Sequence, residues 1–394
     1  MSTQAALIAA WARSAVVPRS GAFKALHAHE IASPVVHALL QRAGVDAASV
    51  DAVIVGNALG AGGNPARMLA LHAGLAERCA AFTVDTQCCA GLDAVAMGVG
   101  LIASGQAKIV VAGGVEAWSR SPIRMHRPLN ERDAPVAYDR PAFAPTAEQD
   151  PDMLLSAARF AAKQGYTRAQ QEAYAIDSHR RAVAHQAELV AEIVPIAGVH
   201  HDVYPRTFDA MRVARMPVVA SSDAATESEL AAELCALSTL TISAQADGAA
   251  FVLLMSPDVA TRLGVHAHFS WLSNASVGSA PQTPLLAAEA AAREALERAG
   301  WGNTSNLCAV ELHDAFAVQG LSFIKFVESL GVAPENFNAR GGGLARGHPI
   351  GASAAIALVR LLTDLARDGA AGARGLVAVA GAGGLGSAAV ISKI

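Results

Sequence analysis

The chain has 394 residues, 53% of them hydrophobic and 16% charged, with 34 glycines and a formal net charge of −4. That length exceeds a single hydrophobic core, so two domains or two halves of a pseudo-symmetric unit are expected, and the composition describes a compact α/β enzyme rather than a disordered or fibrous chain. Near-neutral charge without a run of one sign argues against nucleic acid or an anionic membrane as partner.

Five cysteines, two adjacent and none in a CxxC pair, fit neither a disulfide framework nor a zinc cluster. The run Ala5-Ala6-Leu7-Ile8-Ala9-Ala10 has no basic residue before it and is too short to cross a bilayer. A reducing, cytoplasmic and soluble setting is the expectation.

Along the chain, Ala52-Val53-Ile54-Val55 reads as a strand ending at Gly56, and Ala81 to Val84 as a second β-prone run. Leu92 to Ile102 continue as an apolar segment of helical length, and Lys108 to Ala112 end at Gly113-Gly114. This is the βαβ rhythm of a largely parallel sheet. From about residue 119 to 248 the chain is more polar and carries Pro122, Pro128, Pro141, Pro145 and Pro151, followed by an alanine-rich helical stretch through Tyr174, Ile176 and His179. That stretch reads as a large insertion.

Ala249 to Leu254 resumes as a strand. Leu285 to Ala299, closed by Gly300, reads as an amphipathic helix leading into the strand Leu307 to Leu312. The last strand, Gly375 to Ala380, runs into Gly381-Ala382-Gly383-Gly384-Leu385-Gly386. Too few residues follow for the helix and second strand of a dinucleotide fold, so this glycine run is not a dinucleotide fingerprint. Glycine-terminated strands in both halves hint at an internal duplication.

Candidate chemistry centres on Gln87-Cys88-Cys89-Ala90-Gly91, where a strand ends and a buried helix begins. The free N–H groups and dipole of a helix start favour a thiolate over a thiol and offer an oxyanion site. Two small buried hydrophobes are the alternative reading on local features alone. His313-Asp314-Ala315-Phe316-Ala317 and Gly347-His348-Pro349-Ile350-Gly351 each place a histidine in a turn after a strand or at a helix start, where α/β proteins put reactive groups.

With these motifs the chain resembles the thiolase superfamily of condensing enzymes. Val84 to Leu92 is similar to its nucleophile motif, Val111 to Glu116 to the strand end after it, and Asp247-Gly248-Ala249-Ala250 to the return from its loop domain. Asn64-Pro65-Ala66-Arg67, the two histidine motifs and the terminal glycine turn follow the same order, so the resemblance spans nearly the whole chain. It implies a thiolase-like five-layered αβαβα fold: residues 1–118 plus 249–268 as one half, 119–248 as a loop domain covering coenzyme A, and 269–394 as the other half. It also implies acyl-CoA as substrate, no metal, no permanently bound cofactor, and a homodimer or homotetramer.

Carried over by position, the resemblance makes Cys88 the nucleophile, His348 its general base, and His313 a donor to the thioester oxygen where many thiolases have Asn. The backbone N–H groups near Cys88 and in the turn at Gly383 would hold the second oxyanion. Ser243 would line the pantetheine channel, and Arg212 and Arg215 would meet CoA phosphates. One departure stands out: the family's second cysteine, which removes an α-proton, has no counterpart in Val377-Ala378-Val379-Ala380-Gly381-Ala382. Ala315 likewise stands where a related HDCF branch carries a thiol. Three functions therefore remain open: an acyl-CoA C-acyltransferase that forms or cleaves a 3-oxoacyl-CoA, a decarboxylative condensing enzyme or acyltransferase of secondary metabolism with a Cys-His-His site, and a non-catalytic partner subunit. Ser279-Ala280-Pro281-Gln282-Thr283-Pro284 replaces the family's glycine-rich segment and implies an altered substrate wall.

Overall fold

The computed structural model describes residues 6–60, 62–223, 229–300 and 307–394. The runs of Val, Ile and Ala in β2 (Ala52–Gly56) and β4 (Ile109–Ala117) are buried at every position, as in strands covered on both faces. β2 lies parallel to and between β4 and β3 (Ala80–Val84). β5 (Ala246–Met255) runs antiparallel to β4, and β1 (Leu7–Ser14) antiparallel to β5. The order across this sheet is thus β3-β2-β4-β5-β1.

The second half repeats the pattern. β7 (Leu307–His313) pairs in parallel with β8 (Arg374–Gly381), β9 (Leu385–Lys393) antiparallel with β8, and β6 (Phe269–Gly278) antiparallel with β9. In place of β3, the second half has a single parallel bridge between Val310 and Phe337. The sheets join where Leu7 and Ile8 of β1 meet Ser270 and Phe269 of β6.

Between the sheets lie α2 (Ala90–Ala103) and α5 (Ser353–Asp368), which pack on each other and touch strands of both halves. Their apolar side chains fill one core with the inner faces of both sheets. α1 (Ala28–Ala43) and the helix Pro65–His72 cover the outer face of the first sheet; α3 (Ala287–Arg298) and α4 (Ala317–Ser329) cover that of the second. The result is an α/β protein of five layers, αβαβα.

The middle helices approach closely because Gly91 lies at their contact. A Cβ on Gly91 would stand 2.9 Å from both the Ala355 Cβ and the Gly351 carbonyl oxygen. Buried charges also bind the layers: Arg13 of β1 meets Glu192 at 2.6 Å and Asp202 at 2.7 Å, while Arg360 of α5 meets Asp364 at 2.7 Å and also pairs with Glu192. Each charge has a partner, without which its burial would be prohibitive. Beside them Ile193 and Val194 add a short parallel pairing to Arg13 and Ser14 of β1.

The structure departs from the sequence reading at its edges. β1, β6 and β9 are strands that the sequence did not announce. β3, read as an apolar strand, is an edge strand with Ala80, Phe82 and Thr83 exposed. Strand Ala249 to Leu254 is three residues longer at its start, and the helix expected from Leu285 begins at Ala287, after a 3₁₀ turn. Among the described residues, no helix is long and apolar enough to cross a membrane.

Candidate active site

The chain leaves β3 through an Asx-type turn: Asp85 Oδ1 accepts from the Gln87 N–H and from Gln87 Nε2, both at 3.0 Å. Gln87 is thereby held at φ 56°, a left-handed conformation uncommon for a side-chain-bearing residue. The following 3₁₀ turn, Gln87–Cys89, leads directly into α2 and puts Cys88 at its head. Cys89 points the other way, buried in the core near the Val379 carbonyl.

The second half delivers His348 from the corresponding turn before α5. Its Nε2 lies 3.2 Å from Cys88 Sγ. Its Nδ1 lies 2.7 Å from Ser353 Oγ, one turn into the helix region, and the Ser353 hydroxyl donates to the Pro349 carbonyl at 3.0 Å. That arrangement leaves Ser353 Oγ as the acceptor, so the neutral ring carries its proton on Nδ1 and turns a bare Nε2 toward the sulfur.

The loop bearing His348 is anchored across the halves by Glu116 at the end of β4. Its carboxylate, fully buried, accepts from Asn57 Nδ2 at 2.9 Å and from the N–H groups of Ala58 and Gly351, both at 3.0 Å. His348 itself donates its backbone N–H to Ala244 O at 2.7 Å.

Burial pushes the Cys88 thiol up to about 12, opposed by its own N–H and that of Ala382, which face the sulfur. Burial pulls His348 down to about 4. The resting pair is therefore a neutral thiol beside a neutral imidazole. The helix start does not by itself make a thiolate here, because desolvation outweighs the two N–H groups.

Cys88 and His348 open onto a cavity of about 490 Å³. Ser243 lines it, donating its hydroxyl to Gly343 O at 2.7 Å, and Ala380 faces it from the end of β8. Trp118, Phe143, Leu154, Leu285 and Phe316 supply apolar wall.

One sequence-based position requires correction. His313 does not line the cavity: it is buried behind His348, its Nε2 2.6 Å from His348 Nδ1, so it offers no hydrogen to a thioester oxygen from there. In the turn at Gly383, whose φ is 76°, the backbone N–H that faces Cys88 Sγ is that of Ala382. Arg212, on the four-residue helix Ala210–Val213, and Arg215 are exposed and form no part of the cavity wall. Gln87, Ser353 and Ala382 were not singled out from sequence. Ser353 was findable, five residues beyond His348 at a helix start, whereas Ala382 acts through its backbone and leaves no side-chain signal.

Residues 6–258 match the family model for the thiolase N-terminal domain and residues 266–393 that for the thiolase C-terminal domain. The chain belongs to the thiolase family. This thiolase is 37% identical over 406 residues to an acetyl-CoA acetyltransferase of Shinella zoogloeoides and 34% identical over 417 residues to one of Rhizobium meliloti, each alignment covering both chains completely. It superposes on the crystal structure of the Bacillus anthracis acetyl-CoA acetyltransferase with a TM-score of 0.88 at 26% identity over the whole of both chains. Acat5 thiolase from Ascaris suum, in complex with coenzyme A, gives the same score at 26% identity, covering 99% of this chain and 100% of that one. The thiolase described here is accordingly an acyltransferase enzyme.

Proposed function

We propose that this thiolase transfers an acyl group from a CoA thioester onto Cys88 and forms or cleaves the carbon–carbon bond of a 3-oxoacyl-CoA. The observation that carries the reading is the 3.2 Å contact between Cys88 Sγ and His348 Nε2 at the wall of an apolar cavity. A thiol held near 12 needs a base, and an imidazole with a bare Nε2 within reach supplies one at the moment the sulfur attacks. The N–H groups of Cys88 and Ala382 would receive the oxygen of the tetrahedral intermediate. Residues 119–248 would cover the CoA arm, with Ser243 on its channel. The apolar wall formed by Leu154, Leu285 and Phe316 would receive the acyl chain.

Ala380 faces the cavity from the stretch where the resemblance places a second thiol, and this favours a second reading: decarboxylative condensation, in which loss of carbon dioxide would make the carbanion without an α-proton base. Incubation with acyl-CoAs and intact-mass measurement tests the first step, since the adduct is expected on the native protein and absent from Cys88→Ala. Thiolysis of 3-oxoacyl-CoAs against carbon dioxide release from malonyl-CoA then separates the two readings. A protein that takes no acyl adduct from any thioester refutes both.

A homodimer is the proposed assembly. β3 is a sheet edge on which Phe82 is 43% exposed, and Met68, Leu71 and Met97, on the two helices that pack against β3, are 47–51% exposed. An unpaired edge flanked by apolar side chains is matched by a second copy of itself about a two-fold axis.

A further inference from the structure

We propose that His313 is a positioning residue whose Nε2 accepts the Nδ1 proton of His348, so that Cys88, His348 and His313 form one hydrogen-bonded line ending in a neutral imidazole. The proposal rests on Cys88 as nucleophile and His348 as base, and goes beyond it by giving His313 a role other than contact with substrate.

Three observations support it. The His313 Nε2 to His348 Nδ1 separation is 2.6 Å, with ring centroids 4.5 Å apart and planes 23° from parallel. Rings merely stacked would keep their atoms at van der Waals distance, about 3.5 Å, so a hydrogen lies between the two nitrogens. Ser353 commits its hydroxyl hydrogen to Pro349, which puts the proton on His348 Nδ1 and leaves His313 Nε2 to present a lone pair. Lastly, burial, then the facing His348 and the nearby Arg346, hold His313 neutral, the form that accepts.

Arg346 has a positional role as well. It pairs with Glu311 at 3.5 Å, both residues being 1% exposed. Glu311 and His313 lie two apart on β7, on one face of the strand, and Arg346 lies two residues before His348. The contact sets the strand that carries one imidazole beside the loop that carries the other, although burial pushes the Glu311 carboxyl up to about 8 and no hydrogen bond joins the two side chains. Gly343 leaves room for the His313 ring, since a Cβ there would collide with it.

In the transfer step, the Sγ–H bond breaks and its proton passes to His348 Nε2 while the sulfur pair bonds to the thioester carbonyl carbon. Collapse of the tetrahedral species breaks the carbon–sulfur bond to CoA, whose sulfur takes the proton back from Nε2. Between these events His348 is an imidazolium. Its Nδ1–H is then shared by two neutral acceptors, His313 Nε2 and Ser353 Oγ, and a charged donor makes both hydrogen bonds stronger than they are at rest. The groups facing His348 are thus Cys88 ahead of α2, His313 from β7, Ser353 from α5 and the Ala244 carbonyl, with Arg346 the nearby fixed charge.

The test is the pH dependence of Cys88 alkylation by iodoacetamide on the full-length protein, read by mass on the peptide that carries Cys88, since Cys308 is exposed as well, with far-UV circular dichroism to confirm folding. His313→Met removes the acceptor, and the apparent pKa of alkylation is expected to rise by about one unit, a tenfold slowing below it. In His313→Gln the amide oxygen accepts the same proton, and the profile is expected to stay close to that of the unsubstituted protein. A His313→Met profile superimposing on that protein's, or a His313→Gln profile as displaced as the methionine one, overturns the proposal. Acyl adduct formation that survives Cys88→Ala refutes the nucleophile assignment and with it this inference, and a His348→Asn profile like the unsubstituted one refutes the base. Should His313→Met not fold, the low-field proton resonance of the His348 Nδ1–H decides: it is expected to vanish in His348→Asn and move in His313→Gln, and a resonance unmoved by His313→Gln overturns the proposal.

Discussion

Gly91→Ala places a methyl group where the two middle helices touch. The added Cβ would lie 2.9 Å from Ala355 Cβ and from Gly351 O and 3.0 Å from Ala355 N, none of which is the end of a flexible side chain. Reaching ordinary contact, which begins at 3.4 Å, requires α2 and α5 to part by roughly half an ångström. Overpacking of this kind costs about 1–3 kcal/mol, partly offset by the better helix propensity of alanine, about 1 kcal/mol. Cys88 and His348 ride on the turns ahead of these helices, so the 3.2 Å Sγ to Nε2 contact lengthens with them. Since a misplacement of about 1 Å can cost a hundredfold in rate, acylation of Cys88 is expected to slow about tenfold. Gly100 is the control within the same helix: it is exposed and a Cβ there meets nothing within 4 Å. Gly100→Ala should therefore raise stability by up to about 1 kcal/mol and leave acylation unchanged. Urea midpoints and the rate of acyl adduct formation measure both. A Gly91→Ala protein as stable and as fast as the native one would refute the idea that this contact sets the catalytic distance.

Stability should fall in mild acid. His348 titrates near 4 in the fold against about 6.5 in the unfolded chain, so between these values only the unfolded chain takes up the proton. The contribution is complete above pH 6.5 and lost as pH falls toward 4, by about 2 kcal/mol at pH 5. Urea midpoints at pH 7 and pH 5 should therefore differ less in His348→Asn than in the native protein, and equal differences refute the assignment. Leu285→Trp, which fills the apolar wall, is expected to reduce Cys88 acylation by long-chain acyl-CoAs at least tenfold while sparing acetyl-CoA; equal loss with both would show that the chain does not lie there. Phe82→Glu on the sheet edge should shift the sedimentation coefficient toward that of a monomer, and an unchanged value would place the partner copy elsewhere.

The parts legible in the sequence were those whose side chains state their surroundings. Val53 to Val55 and Ile109 to Val111 announced doubly covered strands, and the short motifs around Cys88 and His348 brought two residues 260 positions apart into one proposal. β1 was illegible because Ala9, Ala10 and Ala12 carry little strand propensity and its Arg13 is buried only by virtue of Glu192 and Asp202. β9 was masked by the glycine and two alanines that let it lie against α3. The direction of His313 was out of reach for a different reason. Its place at the end of β7 follows from sequence, but which way the ring turns depends on the space at Gly343, supplied by a distant loop.

The placement of thiol and base on corresponding turns of the two halves also bears on how the protein is made. During synthesis Cys88 emerges long before His348, and until α5 docks beside α2 it is a solvated thiol near its ordinary pKa of about 8.5, with no base and no cavity. The base and cavity that let the sulfur take an acyl group exist only after the last third of the chain has packed. The reactive centre thus doubles as a report on the completion of folding, and a chain that stalls halfway carries a thiol with no base to direct it at a thioester.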